Sequence, residues 1–134
     1  MSYSMSYIEE HLNITANTLR FYEKEGLLKE ISRDSRGRRV YNDQDIAHLE
    51  FIRCLRATGM PISGIKQYLE LHELGDKTLS ERKEILIQHK LKIQEKLNED
   101  LKHLEMVSYK AAMCELKVNE IDPKQIFLNN QPAV

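Results

Sequence analysis

An all-α fold with a small β wing follows from three features of this 134-residue chain. Two short amphipathic segments are separated by a turn, an arginine-rich stretch follows with a glycine inside it, and residues 78–117 contain neither Gly nor Pro. In that order they predict a winged helix-turn-helix followed by a long dimerisation helix, an antiparallel coiled coil. The expected organisation is a head over residues 1–75, a coiled-coil helix over 76–117 and a tail over 118–134.

Met5, Ile8 and Leu12 recur at spacings of three and four, the stripe of a small helix. Asn13 tolerates the left-handed conformation that a helix end needs. Thr15 can cap a second helix, Ala16 to Glu25, with Leu19 and Tyr22 inward and Gly26 as its stop. Residues 30–41 read as a hairpin, because Val40 and Tyr41 favour extended backbone after Gly37. Asn42, with Asp45 three residues on, opens a third helix whose inward stripe is Ile46, Leu49, Ile52 and Leu55, closed by Gly59. Pro61 pre-sets the first turn of a fourth, with Ile62, Ile65, Tyr68 and Leu69 inward until Gly75.

Thr78-Leu-Ser-Glu81 has the capping-box pattern, and the forty positions of residues 78–117 would form a helix roughly 60 Å long. Leu79, Leu86, Ile93, Leu97, Leu101, Leu104, Val107 and Ala111 lie along it mostly in threes, fours and sevens. The small head cannot cover such a stripe, so a second copy of the chain is the expected cover. Beyond Lys117, Asp122-Pro123 and Gln131-Pro132 break the pattern, leaving a tail that either docks through Ile126, Phe127 and Leu128 or is disordered.

Composition narrows the function. Hydrophobic residues make up 41% and charged residues 31%, enough for a core and too charged for a collagen-like or Gly/Pro-rich chain. No run of apolar residues suits a membrane span, the first residues lack a signal peptide's pattern, and two cysteines offer no disulfide framework. A cytoplasmic protein is expected. The net charge of −1 conceals an asymmetry: residues 15–66 hold ten Lys/Arg against seven Asp/Glu, and residues 67–134 hold ten against twelve. Arg33, Arg36, Arg38 and Arg39 crowd into seven positions, a place for a polyanion to dock. There is no Gly-rich phosphate loop and no supported Ser/His/Asp or Cys/His pair, so no enzyme is expected.

Thr18-Leu19-Arg20-Phe21-Tyr22-Glu23-Lys24-Glu25-Gly26-Leu27-Leu28 resembles the "TLRYYE…GLL" motif of MerR-type transcriptional regulators. The likeness continues through Arg33…Gly37-Arg38-Arg39-Val40-Tyr41, Asp45-Ile46…Leu49…Ile52…Leu55-Arg56…Gly59 and Ile65-Lys66 into the long helix, covering roughly residues 3–117. Three positions depart from it: Glu9 stands in place of a small Ala, His11 in place of an apolar residue and Asn13 in place of a turn Gly. The first two predict that the opening helix leans more on Leu12 and Ile14 for burial.

In a helix-turn-helix the second helix enters the major groove, its N-terminal residues toward base edges. Here these are Ala16, Asn17, Thr18 and Arg20; Asn suits adenine, Arg suits guanine, and Thr suits bases or phosphate. The resemblance implies phosphate contacts for Arg20 and Tyr22. Arg36, Arg38 and Arg39 would meet the backbone beside the groove, with Gly37 allowing the tip, and Tyr41 and Arg56 are further phosphate partners. Tyr22 and Tyr41 also read as aromatics at the edge of the core. The family implies a homodimer on double-stranded promoter DNA, distorting an overlong spacer so that RNA polymerase engages. A helical, dimeric protein-binding adaptor is the alternative, and only a DNA binder would lose duplex affinity as salt rises.

No cofactor or metal is expected. The resemblance implies that a metal-responsive member would carry cysteines at the start of the long helix and after its end. None lies near Asp76–Leu79 and only Cys114 near the far end, and His11, His48, His72, His89 and His103 lack ligand spacing. Cys54, between Arg53 and Arg56, resembles the lone cysteine of the family's branch that responds to reactive aldehydes or thiol stress. The other reading is a small hydrophobe packed within the third helix. Cys114 reads as a helix-seam residue.

Overall fold

Side-chain caps and one left-handed residue set the first elements. The computed structural model describes residues 1–29 and 31–121. A short strand, β1 (Ser2–Ser4), leads into helix α1 (Met5–Leu12), where the Ser4 hydroxyl accepts from the Tyr7 N–H at 3.1 Å. Asn13 ends α1 at φ 56°, the left-handed conformation its amide side chain tolerates. Thr15 then caps α2 (Ala16–Lys24), its hydroxyl accepting from the Thr18 N–H at 3.1 Å. The helix-turn-helix predicted from the sequence is formed. Its first helix is anchored by Ile8, Leu12 and Ile14, all buried, while exposed His11 stacks on Tyr7 with ring centres 4.0 Å apart.

The wing is a three-stranded antiparallel sheet in the order β1-β3-β2, with β2 at Ser32–Arg33 and β3 at Arg39–Asn42. Tyr3 pairs with Tyr41, and Ser32 with Val40. Strand β1 is absent from the sequence prediction. Three residues are too short to display a period, and the strand exists because β3 offers an edge to pair with.

Asn42 and Asp45 form a reciprocal capping box at the start of α3 (Asp43–Ala57), each accepting from the other's backbone N–H, at 2.8 and 2.9 Å. Leu49, Ile52 and Leu55 are buried along α3, and Ile65 is buried on α4 (Ile62–Glu73). With Leu19, Leu27, Leu28 and Tyr41 they make one core, against which Ile85 and Leu86 also pack.

A 3₁₀ turn, Asp76–Thr78, precedes α5 (Leu79–Ile121). The capping box expected at Thr78 and Glu81 is replaced by a different arrangement. The Thr78 hydroxyl donates to the carbonyls of Leu71 and Gly75 at 2.6 and 2.8 Å, and accepts from Arg82 Nε at 3.0 Å. Arg82 Nη2 also donates to the Gly75 carbonyl at 3.2 Å, so a buried guanidinium closes the C-terminal end of α4, where the helix dipole favours a cation. Farther along, buried His89 lies 2.7 Å from the Thr58 hydroxyl, which itself donates to the Cys54 carbonyl at 2.7 Å.

Two compact units divide the chain, Met1–His89 and Lys90–Val134. In the second unit, α5 runs four residues past the Lys117 end expected for it, because Val118–Ile121 contain no helix breaker. Leu97, Leu101, Leu104 and Val107 are all more than half exposed there. The rest of the tail, including Ile126, Phe127 and Leu128, lies outside the described residues. Among those described, no helix is long and apolar enough to cross a membrane.

Candidate nucleic-acid interface

Asp34 organises the wing. Its Oδ1 accepts from the backbone N–H groups of Arg36 and Arg38, both at 2.9 Å, and its Oδ2 accepts from Arg38 Nε at 3.1 Å. These bonds, led by that from the Arg38 backbone, hold the Asp34 carboxyl below its ordinary range. Gly37 supplies φ 77° at the tip, and its carbonyl accepts from Arg33 Nη1 at 2.8 Å. The result is a wing whose tip is fixed before any ligand arrives, with the Arg36 side chain unpaired among the described residues.

Between the wing and α2 lies a cleft of about 580 Å³, whose lining includes Arg20, Arg33, Arg38 and Arg39, Ser2, Ser4, Ser6 and Gly37, and the Asp34 carboxylate that Arg38 bonds. Guanidinium and hydroxyl donors on one concave surface suit phosphate oxygens. The cleft therefore brings together Arg20, Gly37, Arg38 and Arg39 of the predicted residues. Ala16, Asn17 and Thr18 occupy the first turn of the same helix as Arg20, and Arg36 stands at the wing tip. Asn17 Oδ1 accepts from Arg20 Nη1 at 3.2 Å, which orients both side chains.

Four of the predicted contact residues carry other bonds or burial in the structure. Arg39 is committed to Glu23, 2.7 Å away, with both side chains less than one-third exposed. Bonded through Nε and 23% exposed, it clamps the wing to α2, whereas Arg38, bonded through Nε to Asp34, is 68% exposed. Tyr22 and Tyr41 are core residues, 7% and 1% exposed, and burial pushes the Tyr41 phenol up from its ordinary value. Neither hydroxyl is bonded within the described residues, where no buried side-chain polar atom goes unpaired, so each keeps an opening to solvent. Any phosphate contact from these tyrosines is made by the hydroxyl alone. Arg56 lies outside the cleft, its Nη1 donating to the Met60 carbonyl at 3.2 Å beyond the end of α3.

A second clamp joins the other end of α2 to α4: Lys66 Nζ lies 2.7 Å from Glu25 Oε2 and holds that carboxyl below its ordinary range. Sequence reasoning left Ser2, Ser4, Ser6 and Arg33 out of the site. The serines enter only because β1 pairs with β3, a long-range event with no local signal. Arg33 was visible within the basic cluster. In the single chain Cys54 is exposed on α3, outside the buried stripe of Leu49, Ile52 and Leu55. Among the described residues no group of three or more His, Cys, Asp or Glu is placed to hold a metal.

Comparison with known proteins agrees with this geometry. The family model described as MerR HTH family regulatory protein matches residues 3–71, and one described as MerR, DNA binding, matches residues 46–107. An HTH-type transcriptional regulator of Haemophilus influenzae is 36% identical over 112 residues, covering 84% of this chain and 83% of that protein. The HTH-type transcriptional regulator AdhR of Bacillus subtilis is 35% identical over 92 residues, covering 69% of this chain and 66% of AdhR. Among solved structures, HiNmlR, described as a MerR family regulator lacking the sensor domain and bound to promoter DNA, superposes with a TM-score of 0.83 at 32% identity, covering 98% of each chain. A MerR family regulator from Bacillus thuringiensis superposes with a TM-score of 0.74 at 30% identity, covering 84% of this chain and 99% of that one.

Proposed function

The chain belongs to the MerR family of helix-turn-helix regulatory proteins, DNA-binding regulators of transcription, and we propose that two copies joined through α5 distort promoter DNA in response to a thiol-reactive effector. The arginine- and serine-lined cleft between the wing and α2 carries this reading. In each protomer α2 enters the major groove through Ala16, Asn17, Thr18 and Arg20, while Arg36 and Arg38 hold the backbone beside it. The exposed stripe of α5 supports pairing, because a partner helix removes that apolar surface from water. Bending or untwisting a promoter costs a few kcal/mol, a sum that a modest change in the protein can tip.

Cys54 is the effector-responsive group. Its thiol is exposed on α3, and accessibility is the first requirement for a cysteine to react. Addition to an aldehyde carbonyl forms a carbon–sulfur bond, and the thiol proton passes to the former carbonyl oxygen. The same surface serves a thiol oxidant.

The test is footprinting of a promoter duplex with and without a reactive aldehyde or thiol oxidant. Cys54→Ser is expected to abolish the effector-induced change in the footprint while leaving duplex affinity within about twofold, as for a surface substitution. An unchanged response in the variant removes Cys54 from the mechanism.

A further inference from the structure

We infer that Glu9 selects the base at the tip of α2, its carboxylate accepting a hydrogen bond from the amino group of a cytosine. This rests on the reading that α2 enters the major groove. Glu9 lies on α1, yet its Oε1 accepts from the Ala16 N–H, the first of α2, at 2.7 Å. Thr15 takes the Thr18 N–H, and the Leu19 N–H bonds to the Thr15 carbonyl at 3.0 Å. Asn17 therefore has the one N–H of that first turn without a partner among the described residues. The positive end of the α2 dipole is already matched by a fixed negative charge, so a phosphate arriving there meets repulsion.

A base edge meets something different. One Glu9 oxygen is tied to the backbone, and the other is unpaired among the described residues. The Glu9 side chain is exposed, and Ala16 beside it has only a methyl group to obstruct an approaching base. In the major groove guanine presents two acceptors and thymine one, whereas cytosine presents only its amino donor. Adenine has an amino group too, but with the N7 acceptor next to it. A carboxylate held at this point is attracted to cytosine and repelled by the acceptor-bearing edges.

Selection from a randomised duplex library, using the dimeric chain, tests this. The wild type is expected to favour C·G by about fivefold or more at one symmetry-related pair of positions. Glu9→Gln keeps an acceptor for the Ala16 N–H but presents an amide donor outward, so the preference for cytosine is lost or moves toward guanine. Identical preferences in wild type and Glu9→Gln overturn the inference. So does Glu9→Ala, if it lowers the melting temperature and leaves base preference alone, since Glu9 is then only a positioning residue between α1 and α2. Asn17→Ala and Arg20→Ala separate the two readings. If both bind the selected duplex as the wild type does, α2 is not the reading element and both readings fall. If both weaken while Glu9→Gln changes nothing, only the role of Glu9 falls.

Discussion

Replacing Leu97 and Leu104 together by Glu will convert the protein to monomers and lower its affinity for a duplex with two half-sites by about 10²–10⁴-fold, the advantage of linking two binding events. These leucines are 56% and 60% exposed in the single chain and stand seven residues apart, on one face of α5. With Leu101, at 51%, they form a continuous apolar strip whose cost in water is relieved by a second helix. Charges at two of these positions would be buried without partners, which opposes association far more than the lost methyl groups do. The core residues of the Met1–His89 unit are untouched by the change, so its secondary structure is expected to persist. Sedimentation equilibrium reads the assembly state, and fluorescence anisotropy with a labelled duplex reads the affinity. A double variant that stays dimeric would show that α5 does not hold the pair together.

Removing the wing cations is expected to have the next largest effect. Arg36→Ala with Arg38→Ala deletes two guanidinium groups per protomer and four per dimer. If each neutralises one phosphate, the plot of log K against log salt becomes shallower by about 3.6, at about 0.9 per phosphate. The loss should be nearly independent of duplex sequence, because backbone contacts carry no base information. Arg38 is free to contribute despite its bond to Asp34, since only its Nε is engaged there. Arg39→Ala should behave differently. Its partner is Glu23, so the variant loosens the wing from α2 and shortens the salt slope much less. Equal slopes for the wild type and the Arg36/Arg38 double variant would remove the wing from the DNA contact.

The helical part of this fold is written locally. Ser4, Thr15 and the Asn42–Asp45 pair are caps, Asn13 is a left-handed stop, and the stripes on α1 to α4 recur at helical spacing, so each element is readable within a dozen residues. What escapes sequence reading depends on distant partners. Strand β1 exists through pairing with β3, about forty residues away, and it brings Ser2 and Ser4 to the cleft. Arg38 and Arg39 are neighbours of one type, and only the position of Glu23 on α2 decides that Arg39 is held while Arg38 faces the cleft more freely. Thr78 looks like a helix cap, yet the approach of Arg82 and the end of α4 turn its hydroxyl to other bonds. Glu9 stood out as a departure from the family pattern, but its bond to Ala16 becomes visible only when α1 and α2 meet.

Sedimentation velocity of this protein with a two-fold-symmetric promoter duplex at low ionic strength decides whether a pair of chains reads DNA in this way. Two chains per duplex, released together as salt is raised, are predicted. A complex with one chain per duplex, or no co-sedimentation at any salt concentration, would contradict it.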